Sequence, residues 1–327
     1  MFARKKNIIL QGLSYLALGL LGLIVLALLS LTMMIAEDLP RADMIEKYRT
    51  PNSFFYPLTS GAVVHITDSG GQDKPALLLI HGSNASLHTW LPWHQHLAAH
   101  YRLIAFDLPG HGLTGATPQD DYSIQAMADF TREVAALFKL PRYSLAGNSM
   151  GGAVALQVAL DAPQAVDALV LVSSSGMRRN ADDESVGAFK LANSALGRMA
   201  MRYVTPRFTL AGTLRGVVAD PDNFVTDEMV DRYWELLRMT GSRDATIKRF
   251  AGPRRPLEPR LGELDVPTLI LWGQQDPLIK VEYGIAMNAA IVGSFLRLYP
   301  QASHLAHEEI PMQTARDTHM FLADIVQ

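Results

Sequence analysis

The chain has 327 residues, enough for one large α/β domain plus an insertion once an N-terminal apolar run is set aside. A formal charge of −3 argues against a nucleic-acid-binding protein, and the absence of cysteine rules out a disulfide scaffold while remaining compatible with an oxidising compartment. No phosphate-binding glycine loop, dinucleotide fingerprint or zinc-spaced His/Cys cluster is present, so no cofactor or metal is expected.

The first element is apolar. From Ile8 to Ala36 no residue is charged, and as a helix this run would extend roughly 43 Å, enough to cross the ~30 Å hydrocarbon layer with some tilt. Arg4, Lys5 and Lys6 precede it and Glu37 and Asp38 follow, which places the N-terminus in the cytoplasm. A cleaved signal peptide has a shorter apolar core and an A-x-A-like site, which Met34-Ile35-Ala36 does not supply. The expectation is a single-pass signal anchor in the inner (plasma) membrane over 1–36, a juxtamembrane linker over 37–60, and an extracytoplasmic domain, periplasmic in a bacterium.

The domain itself alternates strands and helices. Pro75 to Ile80 is a short apolar run ending in His81-Gly82-Ser83-Asn84, and Tyr101 to Phe106 is another, ending in Asp107-Leu108-Pro109-Gly110-His111-Gly112. Ser123 is the expected N-cap of a helix running to Lys139, where Ile124, Met127, Val134, Leu137 and Phe138 recur at helical spacing. Tyr143 to Ala146 reads as a strand and Ala153 to Leu160 as a helix, with Gly147-Asn148-Ser149-Met150-Gly151-Gly152 between them. A G-x-S-x-G sequence at a strand-to-helix turn is a nucleophile elbow: the serine is held in a strained bend, and glycines flank it because strand and helix pass too closely for a Cβ. Further runs at Ala168 to Val172, Pro267 to Gly273 and Ser294 to Tyr299 complete a parallel sheet covered on both faces.

A serine hydroxyl needs a base and an orienting carboxylate. Only His304, His307 and His319 lie downstream of Ser149. Asp276 follows the strand at 267–273 and His304 follows the next, so both are expected at the C-terminal edge of the sheet, where open α/β sheets place their chemistry. His307 is expected to begin a helix and His319 to lie within the last one. The backbone N–H groups of Met150, directly after the nucleophile, and of Ser83, in the loop after an earlier strand, are the candidate oxyanion donors. His81 is expected to be structural.

Between the strand ending near Val172 and the one starting at Thr268, residues 177–262 lack strand-like runs and read as short helices, such as Val186 to Tyr203 and Thr226 to Met239. They contain fifteen Lys and Arg against eleven Asp and Glu, with no acidic residue between Glu184 and Asp220. Lys190, Arg198, Arg202, Arg207 and Arg215 alternate there with apolar residues. The composition fits a helix at an anionic membrane surface, and equally a pocket cover whose arginines are solvated.

Leu79-Ile80-His81-Gly82, Asp107 to Gly112, Gly147 to Gly152, and Asp276 with His304, in that order, resemble the α/β-hydrolase fold family over about residues 61–327. The resemblance implies a core in two parts, 61–176 and 263–327, a mostly parallel sheet with helices on both faces, and a helical cap over 177–262. It implies a structural role for Asp107 to Gly112. It further implies a serine hydrolase of carboxylic esters, lipid and monoacylglycerol esters included, similar to membrane-anchored monoacylglycerol lipases, with a small-molecule or lipid ester as partner and Ser149, His304 and Asp276 as the triad. Two alternatives stand beside it. The elbow is also that of the meta-cleavage-product hydrolases, which break carbon–carbon bonds and usually carry tryptophan after the catalytic histidine, where this chain has Leu305. A non-catalytic binding protein on the same fold is the other, and the full set of candidate triad residues argues against it.

Overall fold

A computed structural model describes residues 12, 14–26, 35–180, 183, 192, 194–253 and 255–326. Of the expected spanning run at 8–36, residues 8–11, 13 and 27–34 lie outside the described residues. Within it residues 14–26 are helical with their leucines exposed, and among the described residues no helix is long and apolar enough to cross a membrane.

The stretch expected to be a linker is ordered structure. It holds helix α1 (Arg41–Tyr48) and strand β1 (Ser53–Pro57), which pairs antiparallel with β2 (Val63–Ser69) and closes one edge of the sheet. Neither strand carries a plain apolar run: β1 is a short, half-exposed edge strand, and β2, buried between β1 and β4, interleaves His65 and Thr67 with Val64 and Ile66. Then follow β3 (Ala76–Ile80), α2 (Leu91–Leu97), β4 (Arg102–Phe106), α3 (Ile124–Leu137), β5 (Tyr143–Asn148), α4 (Met150–Asp161) and β6 (Val166–Val172). After the insertion come β7 (Thr268–Gly273), α10 (Val281–Ala290), β8 (Phe295–Tyr299), α11 (Ala306–Glu309) and α12 (Pro311–Ala323), the numbers between belonging to the insertion. The strand order is β1-β2-β4-β3-β5-β6-β7-β8, antiparallel at β1–β2 and β2–β4 and parallel from β4 onward.

Alternation along the strands divides the core into two layers. Leu78, Ile80, Leu145, Leu171 and Ile270 face one side, where α3, α4 and α10 pack. Leu77, Leu79, Ala146, Val170 and Leu271 face the other, against Trp93 and Leu97 of α2 and Ala315 and Leu322 of α12. Both faces are covered, so β3, β5 and β7 are buried along their whole length. Ser123 caps α3 as expected, its side chain accepting from Ala126 N–H at 3.2 Å.

Between β6 and β7 the described chain is helical: α5 (Ala195–Met201), α6 (Arg207–Arg215), α7 (Pro221–Phe224), α8 (Asp227–Leu237) and α9 (Ser242–Ala251). The expected helix from Val186 is described only from α5 onward, and 184–191 lie outside the described residues. Residues 37–48 are clamped to this insertion. Leu39 N–H donates to Arg238 O at 2.8 Å, Arg243 Nε reaches Asp38 at 2.9 Å, and Lys47 pairs with Glu235 at 2.7 Å. Met44 packs with Leu113, Leu236 and Met239 in a small separate core.

Candidate active site

The elbow forms at the junction of β5 and α4. Ser149 has φ 52° and ψ −117°, a left-handed backbone that a non-glycine residue adopts at a cost of order 1–3 kcal/mol. The surrounding hydrogen bonds over-determine it: its N–H donates to Val172 O at 3.0 Å and its carbonyl accepts from Ser175 N–H at 2.9 Å. The flanking glycines are required by contact. A Cβ on Gly147 would lie 2.3 Å from Gly151 O, and one on Gly151 would lie 2.2 Å from Ile80 O. Those contacts also bring the end of β3 against the elbow, so the 82–84 loop borders Ser149.

His304 comes from the loop after β8 and Asp276 from the loop after β7. Asp276 Oδ1 accepts from the N–H groups of Leu278 and Ile279 at 2.8 and 2.9 Å, which locks the carboxylate. Its Oδ2 lies 2.7 Å from His304 Nδ1, so Nδ1–H donates there and Nε2 is left for the pocket. Both side chains are buried. Three backbone contacts hold the histidine loop: Asn148 Nδ2 donates to His304 O at 3.1 Å, His304 N–H donates to Val217 O at 3.1 Å, and Glu309 accepts from Ser303 N–H at 3.0 Å. The histidine is thus tied both to the elbow and to the insertion.

Ser149 and His304 line one cavity of about 50 Å³ together with Ser83, Asn84 and Asn148. Leu210, Leu214 and Val217 from the insertion and Leu278 and Leu305 from the core give it apolar walls, and Thr213 and Tyr233 of the insertion also line it. Among the described residues no lysine, arginine or carboxylate side chain lines it. Ser83 stands in the loop next to Ser149, and Met150 is the first residue of α4, so its N–H has no acceptor within the helix and sits at the helix's positive end. The Met150 side chain turns toward Arg249 instead.

The remaining histidines separate cleanly. His307 begins α11 as expected but is buried against Trp90, 2.9 Å from Thr89 Oγ1, outside the cavity lining; burial, with His304 nearby, holds its pKa down to about 3. His319 lies in α12 and stacks on His100. His81 is structural: its Nε2 accepts from Leu108 N–H at 3.0 Å and its Nδ1–H donates to Gly82 O at 2.7 Å. Asp107 is also structural, holding Leu87 and Leu113 N–H at 2.7 Å each and His65 at 2.7 Å. Burial would raise the Asp107 pKa, but the buried histidines around it outweigh burial and bring it down to about 2.

Two residues of the site escaped sequence reasoning. Asn148 fills the variable position of the G-x-S-x-G pattern, which assigns it no role, yet its amide ties β6 to the histidine loop. Arg249, on α9, donates to Asn84 Oδ1 at 2.8 Å and approaches Met150 Sδ at 3.7 Å, so the insertion touches both loops that carry the candidate oxyanion donors. Nothing local to residue 249 signals that contact. Among the described residues no group of His, Cys, Asp or Glu is placed to hold a metal ion.

An uncharacterized protein of Mycobacterium tuberculosis is 30% identical over 250 residues, covering 72% of each chain. A 2-hydroxy-6-oxononadienedioate/2-hydroxy-6-oxononatrienedioate hydrolase of Comamonas testosteroni is 25% identical over 280 residues, 80% of this chain and 91% of its own. Among solved structures, a bacterial membrane phospholipase A superposes with a TM-score of 0.72 at 24% identity, covering 95% of this chain and 99% of its own. The family model for the α/β hydrolase fold matches residues 75–311. With that match and the sheet, elbow and cavity described above, the chain belongs to the α/β-hydrolase fold family and is a hydrolase.

Proposed function

We propose that this hydrolase is a membrane-anchored serine esterase acting on carboxylic esters, lipid and monoacylglycerol esters among them. The observation that carries the reading is the cavity shared by Ser149, in its strained bend, and His304, whose other ring nitrogen is fixed by Asp276. Ser149 attacks the acyl carbonyl while His304 takes its proton and later returns it to the leaving alcohol. Asp276 holds the imidazole tautomer. The Ser83 and Met150 N–H groups receive the oxyanion, and water then releases the acyl group. The helices between β6 and β7 act as a cap whose leucines contact the acyl portion. The uncharged run at 8–36 supports the anchor, with the domain on the extracytoplasmic side.

A second reading, carbon–carbon bond hydrolysis, has the Comamonas relative in its favour. The cavity speaks against it: a dienoate brings a carboxylate, and among the described residues no cationic side chain lines the walls. Leu305, in place of tryptophan, contributes another apolar wall.

One substrate panel on the purified full-length enzyme decides between them. Turnover should rise with acyl length across neutral esters and be negligible on a dienone acid. Faster turnover of the dienone would replace the ester reading. For the anchor, the protein should remain in the membrane fraction through an alkaline carbonate wash. A mature N-terminus recovered at or after Glu37 would end the anchor claim.

A further inference from the structure

The outward face of the insertion is apolar. Leu196 and Met199 on α5 and Tyr203 just past its end are spaced by three and four residues, so they share one face. They are 72%, 65% and 57% exposed, and Phe208 on α6 is 68% exposed. Four large apolar side chains within thirteen residues form the kind of surface that marks a contact site.

The inward side of the same helices lines a second cavity of about 20 Å³, walled by Met201, Val204, Leu210 and Leu237. It shares Leu210 and Asn84 with the cavity at Ser149, so the two cavities adjoin across these side chains. The N-terminal chain arrives at this place. Ile35, itself half exposed, bridges to Val204, and Ala36 N–H donates to Tyr203 O at 3.0 Å. The uncharged run at 8–36 therefore ends against the apolar face, and the clamp at Leu39 and Asp38 fixes how the domain hangs from it.

We propose that Leu196, Met199, Tyr203 and Phe208 are seated at the hydrocarbon–headgroup boundary of a lipid bilayer, with the second cavity as the side from which an acyl chain reaches Ser149. This rests on the anchored ester-hydrolase reading and adds the orientation of the domain and the route of its substrate. The continuity of the face with the run at 8–36 selects a bilayer as occupant. The arginines are not the attraction: Arg202 pairs with Asp244 at 3.0 Å, Arg207 with Asp231 at 2.5 Å and Asp227 at 2.7 Å, and Arg198 donates to Ala192 O. Binding through apolar side chains is insensitive to salt and does not need anionic lipid.

Because the chain has no cysteine, Met199→Cys supplies a single labelling site, and Val292→Cys, 86% exposed in the turn between α10 and β8, supplies a control. Full-length protein carrying an environment-sensitive fluorophore at either site is reconstituted into phosphatidylcholine vesicles with and without doxyl-labelled lipid. Quenching at 199 but not at 292, unchanged at 1 M salt, is the expected result. In a second arm, the triple variant Leu196→Ser, Met199→Ser, Phe208→Ser should lose about tenfold in turnover of a long-chain monoacylglycerol in those vesicles. Its turnover of a water-soluble short ester should match wild type, which also establishes that it folds. An unquenched 199 probe, or full vesicle activity in the triple variant, overturns the proposal, and disulfide-linked dimers of Met199→Cys without quenching assign the face to a second copy. Quenching of the Met199→Cys probe, with no ester hydrolysed by the unlabelled wild-type protein, would defeat the esterase reading and leave the docking face standing.

Discussion

The crest of the sheet and the helical insertion above it are stabilised in different ways. At the crest, backbone meets backbone: the absent Cβ of Gly151 is what lets α4 approach Ile80 O, and the same approach bends Ser149. In the insertion, ion pairs such as Arg207–Asp231 lie on the surface, and helices meet through leucines at helical spacing. The crest therefore has one workable geometry, whereas the insertion can change sequence and keep its place. The reaction belongs to the first region, and what reaches it is selected by the second.

The largest effects should come from the crest. Ser149→Ala should abolish labelling by a fluorophosphonate probe and ester turnover, and His304→Ala or Asp276→Asn should cut kcat by about 10³–10⁴. Wild-type turnover in His304→Ala would remove it as the base. Undiminished labelling of Ser149→Ala would remove the nucleophile.

One substitution made in both regions tests the contrast directly. Gly151→Ala drives a methyl into Ile80 O and should destabilise the protein by about 2–4 kcal/mol. Gly212→Ala, within α6 and with open space around it, should stabilise by up to about 1 kcal/mol. Urea unfolding of both variants reads the two signs, and equal effects would dissolve the distinction.

Beneath the crest, Glu308 and His307 share Thr89 and titrate in opposite senses. Burial raises the Glu308 pKa to about 7, so its folded form holds a proton that the unfolded chain releases near 4.5. The stability this contributes is complete below pH 4.5 and lost as pH rises through 7. Burial lowers the His307 pKa from 6.5 to about 3, so its contribution is present above 6.5 and lost as pH falls toward 3. Thermal unfolding should therefore show a stability maximum between these limits, and Glu308→Gln should remove the decline on the alkaline side. An unchanged alkaline limb would show that Glu308 is not its source.

The smallest effects belong to the surface of the insertion. Arg202→Ala and Arg207→Ala should each leave the urea midpoint almost unchanged, because exposed ion pairs are screened by water and salt. Binding of the full chain to vesicles should not change, and a loss on anionic vesicles would return the arginines to a lipid-binding role.

The elbow, the parallel part of the sheet and the candidate triad residues were legible in the sequence because each is encoded locally. Steric exclusion at Gly147 and Gly151 acts within a few residues, apolar runs report buried strands, and Asp276 and His304 each follow such a run directly. Chain order narrowed the histidines to three and the strand directly before it favoured His304; tertiary packing then places His304 beside Asp276 and the cavity, and His307, three residues on, against Trp90. Tertiary structure also decided that 37–60 is a clamp and an edge strand, that Arg249 touches the loops of Ser83 and Met150, and that the arginines of the insertion meet carboxylates. The clamp, the Arg249 contacts and these ion pairs join residues from about 20 to about 200 positions apart. No local steric rule or periodicity fixes such a pairing: it exists only once the two layers of the core have set the distance between its ends.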